Sequence, residues 1–294
     1  MDSAWLEWIQ LAINGVAIGS IYSLVALGLV LGYKATEVLN FAHGDVVMLS
    51  AFFGWTLIAV WHVPFWLALP AVMLAVALLA YWMEARVMRR IVGQPQFAGV
   101  MLTIGIGFML RGAASMVFGP ESRSYSTPWS GQTVQLGSLV VAELNLVILA
   151  AALLVTLVLY VFFTRTAVGV AIQAASQNQL AAYLAGVRVK RINSLVWAIS
   201  GAVAALCGVL LAPITLVDIT LWFVVLKALA ALVLGGFGNV SGAIVGGLLI
   251  GLIEQIAGRY LPDGSKDVAA YLILVAVLLF FPRGILGEAH GRRV

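Results

Sequence analysis

The chain has 294 residues, 63% hydrophobic and 10% charged, with a mean hydropathy of +1.08. A soluble domain is roughly half apolar and about a quarter charged, so a water-soluble fold of this length is excluded. The net charge of +4 is modest, and the basic residues sit at the ends of apolar runs, a pattern of membrane topology rather than of nucleic-acid binding.

The N-terminal MDSAWLEW carries Asp2 and Glu7 and no Lys or Arg. It lacks the basic start of a secretory signal peptide, so the first apolar run is read as a retained span. Spans are predicted at 10–31, 44–62, 65–85, 97–118, 143–163, 192–213, 220–234, 243–260 and 268–281. A crossing needs about 20 residues, and 220–234 is short. It is read as crossing or as a re-entrant or broken element paired with 243–260, which gives eight or nine spans. The runs lack barrel alternation, so they are helices. The predicted fold is all-α: a polytopic transmembrane helical bundle forming one membrane domain over 1–294.

Two connecting segments are long. Residues 119–142 are polar and rich in Ser, Gly and Pro, and read as an extracytoplasmic loop. Residues 164–191 have few helix breakers and read as a cytoplasmic helical segment. Lys34, Arg86, Arg89, Arg90, Arg165, Arg188, Lys190, Arg191, Arg283, Arg292 and Arg293 fall on one side; Arg123, Arg259 and Lys266 fall on the other. The first set marks the cytoplasmic side, with the N-terminus outside and the C-terminus inside. Trp5, Trp8, Trp61 and Trp66 near span ends suit an interfacial belt.

Glycines at GxxxG spacing (Gly15 and Gly19, Gly28 and Gly32, Gly242 and Gly246, Gly247 and Gly251) predict close helix packing. Catalysis finds no support. His43, His62 and His290 lack metal-ligand spacing, and neither HExxH nor GxSxG occurs. Cys207 is the sole cysteine and reads as a packing residue. The stretch Gly235–Gly242 lacks the lysine of a phosphate loop and reads as a turn. No metal or cofactor is expected on this chain.

Charge inside a bilayer is costly, so Lys227, Arg111 and Glu254 within apolar runs, and Asp45 and Asp218 beside them, are read either as structural pairs or as groups facing a water-filled path. The densest polar constellation is Leu39-Asn40-Phe41-Ala42-His43-Gly44-Asp45. It is either an ordinary connecting loop or a broken backbone that exposes polar groups to a solute. Candidate pathway residues are therefore Asn40, Phe41, His43, Asp45, Lys227 and Glu254. In 164–191, Ala174, Asn178, Ala182 and Gly186 recur every fourth residue, which on one helix makes a flat small-residue face suited to a partner's groove.

The run Asn14–Leu49, with LNFAHGD its most specific part, resembles the first membrane segments of branched-chain amino acid ABC transporter permeases. Ala171–Pro213, Lys227–Glu254 and Leu278–Glu288 resemble later parts of the same family, in the right order. The resemblance implies a bacterial inner-membrane importer carrying branched-chain or other hydrophobic amino acids by alternating access. It also implies a periplasmic binding protein, a second permease subunit, related or identical, and two ATPase subunits that carry ATP and Mg. The segment 171–188 would dock into the ATPase through Gln173, Ala174, Asn178, Ala182 and Gly186, with Gln173 standing where a Glu is common. Permeases for urea, short amides or other small polar solutes fit the same element. An ion-coupled secondary transporter remains an alternative from another class, with Glu254 as its mark.

Overall fold

The computed structural model describes residues 2–91, 94–137, 139–262, 264–281 and 284–285. The expectations placed on Arg283, Glu288, His290, Arg292 and Arg293 lie outside the described residues. In chain order the helices are α1 (Asp2–Thr36), α2 (His43–Trp55), α3 (Phe65–Arg86), α4 (Gln96–Phe118), α5 (Glu143–Arg165), α6 (Ala167–Gln177), α7 (Gln179–Leu184), α8 (Val189–Thr215), α9 (Val224–Gly235), α10 (Val240–Tyr260) and α11 (Ser265–Phe280). The protein is an all-α polytopic bundle, as expected. Among the described residues seven helices are long and apolar enough to cross a membrane, against the eight or nine spans expected; Ile219–Gly235 forms a shorter apolar helix, as its length foretold, and α11, over the expected span at 268–281, has 16 residues and is not among the seven. The element at 220–234 starts as a 3-10 turn, Ile219–Phe223, before α9.

One expectation is corrected in detail. Within the loop 119–142 the chain forms a hairpin, β1 (Thr133–Leu136) paired antiparallel with β2 (Leu139–Ala142). Gly137, at φ +66°, supplies the turn conformation that only glycine adopts readily. Earlier in the loop, Arg123 and Val217 exchange backbone hydrogen bonds at 2.9 and 2.8 Å. Tyr125 donates its hydroxyl to the Val209 carbonyl at 2.6 Å, and burial pushes its phenol up from the ordinary value.

The chain folds as two compact units. Each is assembled from separate stretches, so no single linker divides them. The first comprises residues 1–30, 129–152 and 224–294; the second comprises 31–128 and 153–223. In the first unit α1 lies against α10 through its glycines. A Cβ at Gly15 would meet the Leu252 Cα at 2.9 Å, and one at Gly19 would meet the Gly247 carbonyl at 2.8 Å. Ser23 donates to the Ile244 carbonyl at 2.7 Å in the same seam. Gly242 and Gly246 pack against Gly235 and Ala231, joining α10 to α9. The expected packing role holds for those glycines, but Gly32 faces open space.

In the second unit α8 packs on α2 and α3. Gly208 faces the Ser50 hydroxyl and the Val47 carbonyl, and a Cβ at Gly201 would lie 2.6 Å from Ala80 Cβ. Ser50 donates to the Val47 carbonyl at 2.6 Å. Almost all of α8 from Val203 to Ala212 is buried. By contrast α4 exposes Phe108, Met109, Met116 and Val117, and α5 exposes Leu153, Leu154 and Leu157. Those two helices offer apolar surface to lipid or to another membrane protein.

Adding side-chain bulk where backbones touch costs about 1–3 kcal/mol, and adding it in open space costs little. Gly208→Val should therefore lower the thermal stability of the purified protein clearly, while Gly105→Ala, with nothing within 4 Å, should leave it nearly unchanged. A thermal melt in detergent or nanodiscs reads the difference. Equal melting of the two variants would contradict the α2–α8 approach.

Candidate functional site

The LNFAHGD element is the turn between α1 and α2. Helix α1 ends at Thr36, and Glu37 takes the left-handed backbone at φ +56°, so the chain bends there. It is not an ordinary surface loop. Asn40, Ala42, His43 and Asp45 are buried, and Phe41 is half-buried. Thr103 of α4 pins the turn: its hydroxyl accepts from the Phe41 amide at 3.2 Å and approaches the Leu39 carbonyl at 3.3 Å. His43 N–H donates to the Asn40 carbonyl at 3.1 Å as α2 begins.

Asp45 lies one turn further along and is fully buried. Its Oδ1 accepts from Arg111 Nε at 2.6 Å. The guanidinium of Arg111 stacks over Trp222 at 3.8 Å and over Phe108 at 4.7 Å from the ring centroids. Gly107 packs on Oδ2 of Asp45, where any Cβ would collide. The pair ties α2, α4 and the Ile219–Phe223 turn together. Two residues flagged separately, as charge beside a span and charge inside one, are thus partners; an intramembrane charge calls for such a partner.

Asn40, Phe41, His43 and Asp45 therefore come together in the second unit. Lys227 and Glu254 belong to the first. Lys227 Nζ donates to Glu254 Oε1 at 2.7 Å and to Asp267 Oδ1 at 2.8 Å, and stands 3.5 Å from the Tyr22 hydroxyl. Glu254 is buried and Asp267 is exposed. The lysine clamps α9, α10 and α11 at one point. Asp267 escaped the sequence reading because it lies 40 positions from Lys227 with nothing local linking the two.

The segment 164–191 is helical but broken. Thr166 caps α6 by accepting from the Gly169 amide at 3.0 Å. Asn178 is extended, at φ −157° and ψ 102°, and its side chain caps α7 by accepting from the Ala181 amide at 2.9 Å. Gly186, at φ +86°, follows the end of α7. The single small-residue face is therefore corrected: Ala174 lies on α6, Asn178 is a cap, Ala182 lies on α7 and Gly186 lies beyond it. Asn at an N-cap bonds the backbone in place of helix interior, which explains the break. Gln173, Ala174, Asn178 and Gly186 are exposed, whereas Ala182 is buried. The outward surface of α7 is apolar instead: Leu180, Tyr183 and Leu184 are 69%, 67% and 77% exposed. Their spacing of three and four residues after a capping Asn was the overlooked signal.

Next to this segment α3 and α8 are clasped. Glu84 is buried and receives Arg89 Nη2 at 3.1 Å and the Ser194 hydroxyl. Arg89 also donates to the Lys190 carbonyl at 2.9 Å. Sequence reading counted Arg89 only as a topogenic charge.

Residues 11–281 match the family model described as branched-chain amino acid transport system / permease component. The chain belongs to this family. It is 30% identical over 308 aligned positions to the high-affinity branched-chain amino acid transport system permease protein LivH of Escherichia coli K12, covering 100% of both chains. It is 30% identical over 302 positions to BraD of Pseudomonas aeruginosa, covering 98% of each. A probable LivH of Methanocaldococcus jannaschii is 27% identical over 278 positions, 90% of this chain and 88% of its own. The chain is thus a multi-pass membrane transport subunit, one component of a larger system.

Removing one partner of a buried ion pair strands the other and costs about 3 kcal/mol or more, while replacing both with apolar groups is often neutral. Arg111→Met should therefore lower thermal stability strongly. Asp45→Leu combined with Arg111→Met should recover much of the loss. A double variant less stable than either single one would contradict the pairing.

Proposed function

We propose that this chain is the permease subunit of an ATP-driven ABC importer that carries branched-chain or other hydrophobic amino acids across the bacterial inner membrane by alternating access. The observation that carries the reading is the end-to-end likeness to LivH and BraD, both named as permeases of branched-chain amino acid transport. The N-terminus lies outside and the C-terminus in the cytoplasm, from the lysine and arginine distribution. The partners are a second permease subunit, two ATPase subunits that hold ATP and Mg, and a periplasmic substrate-binding protein.

In this reading α6 and α7 form the coupling element. Leu180, Tyr183 and Leu184 seat in a groove of the ATPase as short-helix anchors. Gln173, Ala174 and Asn178 border the contact. Buried Ala182 and the Gly186 turn set the angle of α7 against the start of α8. Motion of the ATPase pair would pass along α8 to α3 through the Glu84–Arg89–Ser194 clasp. Asn40, Phe41, His43 and Asp45, and separately Lys227 and Glu254, are the candidate pathway residues. An ion-coupled mechanism resting on Glu254 is disfavoured, because Lys227 already neutralises that carboxylate at 2.7 Å.

Replacing an apolar interface anchor with a charge costs about 2 kcal/mol or more, roughly thirtyfold in affinity. Leu180→Asp and Tyr183→Asp should insert normally in the membrane, fail to co-purify the ATPase, and abolish uptake of labelled leucine. Retained ATPase binding in both variants would rule out the α7 contact. Uptake of labelled urea instead of leucine by the wild-type system, with its own binding protein, would transfer the substrate assignment to small polar solutes.

A further inference from the structure

Within the second unit, the turn before α2 meets α8 around a small cavity. Asn40, His43, Trp197 and Ser200 line it on the polar side, and Ala80 and Met83 of α3 on the apolar side. Three atoms on these residues are buried without a hydrogen-bond partner among the described residues: Asn40 Oδ1, His43 Nε2 and Trp197 Nε1. The residues are 7%, 2% and 3% exposed. Buried polar groups are nearly always paired, through ordered water where the protein supplies nothing.

The chemistry of the three atoms selects the missing partner. An indole N–H only donates, an amide oxygen only accepts, and an imidazole Nε2 does one or the other according to its tautomer. An anion would face the amide oxygen, and a cation would face the indole N–H. A ligand that both donates and accepts satisfies all three. The cavity leaves about 10 Å³ for the centre of a water-sized sphere, space for one such molecule and for nothing the size of an amino acid.

We propose that this cavity is a binding site for a single structural water, which accepts from Trp197 Nε1–H, donates to Asn40 Oδ1 and makes its third hydrogen bond with His43 Nε2. The water bridges the LNFAHGD turn and the start of α2 to α8, one helical turn along from Ser194. Asn40 and His43 then act as positioning residues that hold the turn to α8. The assignment stands on the second unit alone and does not depend on which solute the system carries.

The test uses the full-length chain, purified with its membrane partners in lipid nanodiscs. A structure at a resolution that shows ordered water should reveal one isolated peak about 2.7–3.2 Å from all three atoms. Absence of a peak, contact with fewer than three of the atoms, a larger molecule in the cavity, or direct pairing of the side chains with one another would each overturn the proposal. An independent readout is the ultraviolet resonance Raman difference between wild type and Trp197→Phe. It should show an indole N–H that is hydrogen-bonded and that exchanges in deuterated buffer; an unbonded indole signal would overturn it. Should Trp197→Phe fail to fold, the wild-type structure decides alone.

Discussion

Helix α8 reaches α2 and α3 only because Gly201 and Gly208 present no side chain at the crossing points. Lipid tails are as apolar as leucine, so helices in a bilayer gain little by hiding hydrophobic faces from one another. They associate through close van der Waals contact and hydrogen bonds between backbones that small residues allow to approach. Here the approach brings the Val47 carbonyl and the Ser50 hydroxyl to α8 and sets Trp197 against the turn before α2. It also brings Ser194 within reach of Glu84. The α1–α10 seam of the other unit follows the same rule with Gly15, Gly19, Gly247 and Gly251. Both units therefore have closely packed interiors on which a few polar groups can be placed with precision.

Among the described residues each buried carboxylate has a cationic partner. Asp45 meets Arg111, Glu84 meets Arg89, and Glu254 meets Lys227. The Asp45–Arg111 and Lys227–Glu254 pairs join different helices, and Glu84 and Arg89, five residues apart, reach α8 together through Ser194 and Lys190, so each pair is part of a tie. In a low-dielectric interior such a pair contributes less to stability than its Coulomb attraction suggests, because both ions have lost their water. What it does supply is orientation: the Arg111 guanidinium is fixed between two aromatic rings, and Lys227 holds three helices at a common point. Under the proposed alternating access a permease needs rigid parts as well as mobile ones, and these ties define rigid parts within each unit.

The spans were legible because an apolar run of about 20 residues has one structural solution in a bilayer. Even the shortness of 220–234 was readable. The LNFAHGD turn was readable as unusual, though its depth of burial was not, since that depends on Thr103 reaching it from 62 positions away. Pair partners were illegible for the same reason: Asp45 and Arg111 lie 66 positions apart. The hairpin at 133–142 was masked by four-residue strands too short to show alternation beside Ser- and Gly-rich sequence. Inside 164–191 a four-residue spacing of small side chains suggested one helix. The capping chemistry of Asn178 broke it and turned Leu180, Tyr183 and Leu184 outward, where an apolar surface is available for docking.

In the proposed mechanism, movement in this bundle is driven by nucleotide hydrolysis on a partner, with the chain supplying path and lever. The most direct measurement is uptake of labelled leucine into proteoliposomes containing the whole complex, with binding protein outside and ATP enclosed. Uptake should require the enclosed ATP and persist when ionophores collapse proton and sodium gradients. Uptake driven by either gradient in the absence of ATP would contradict it.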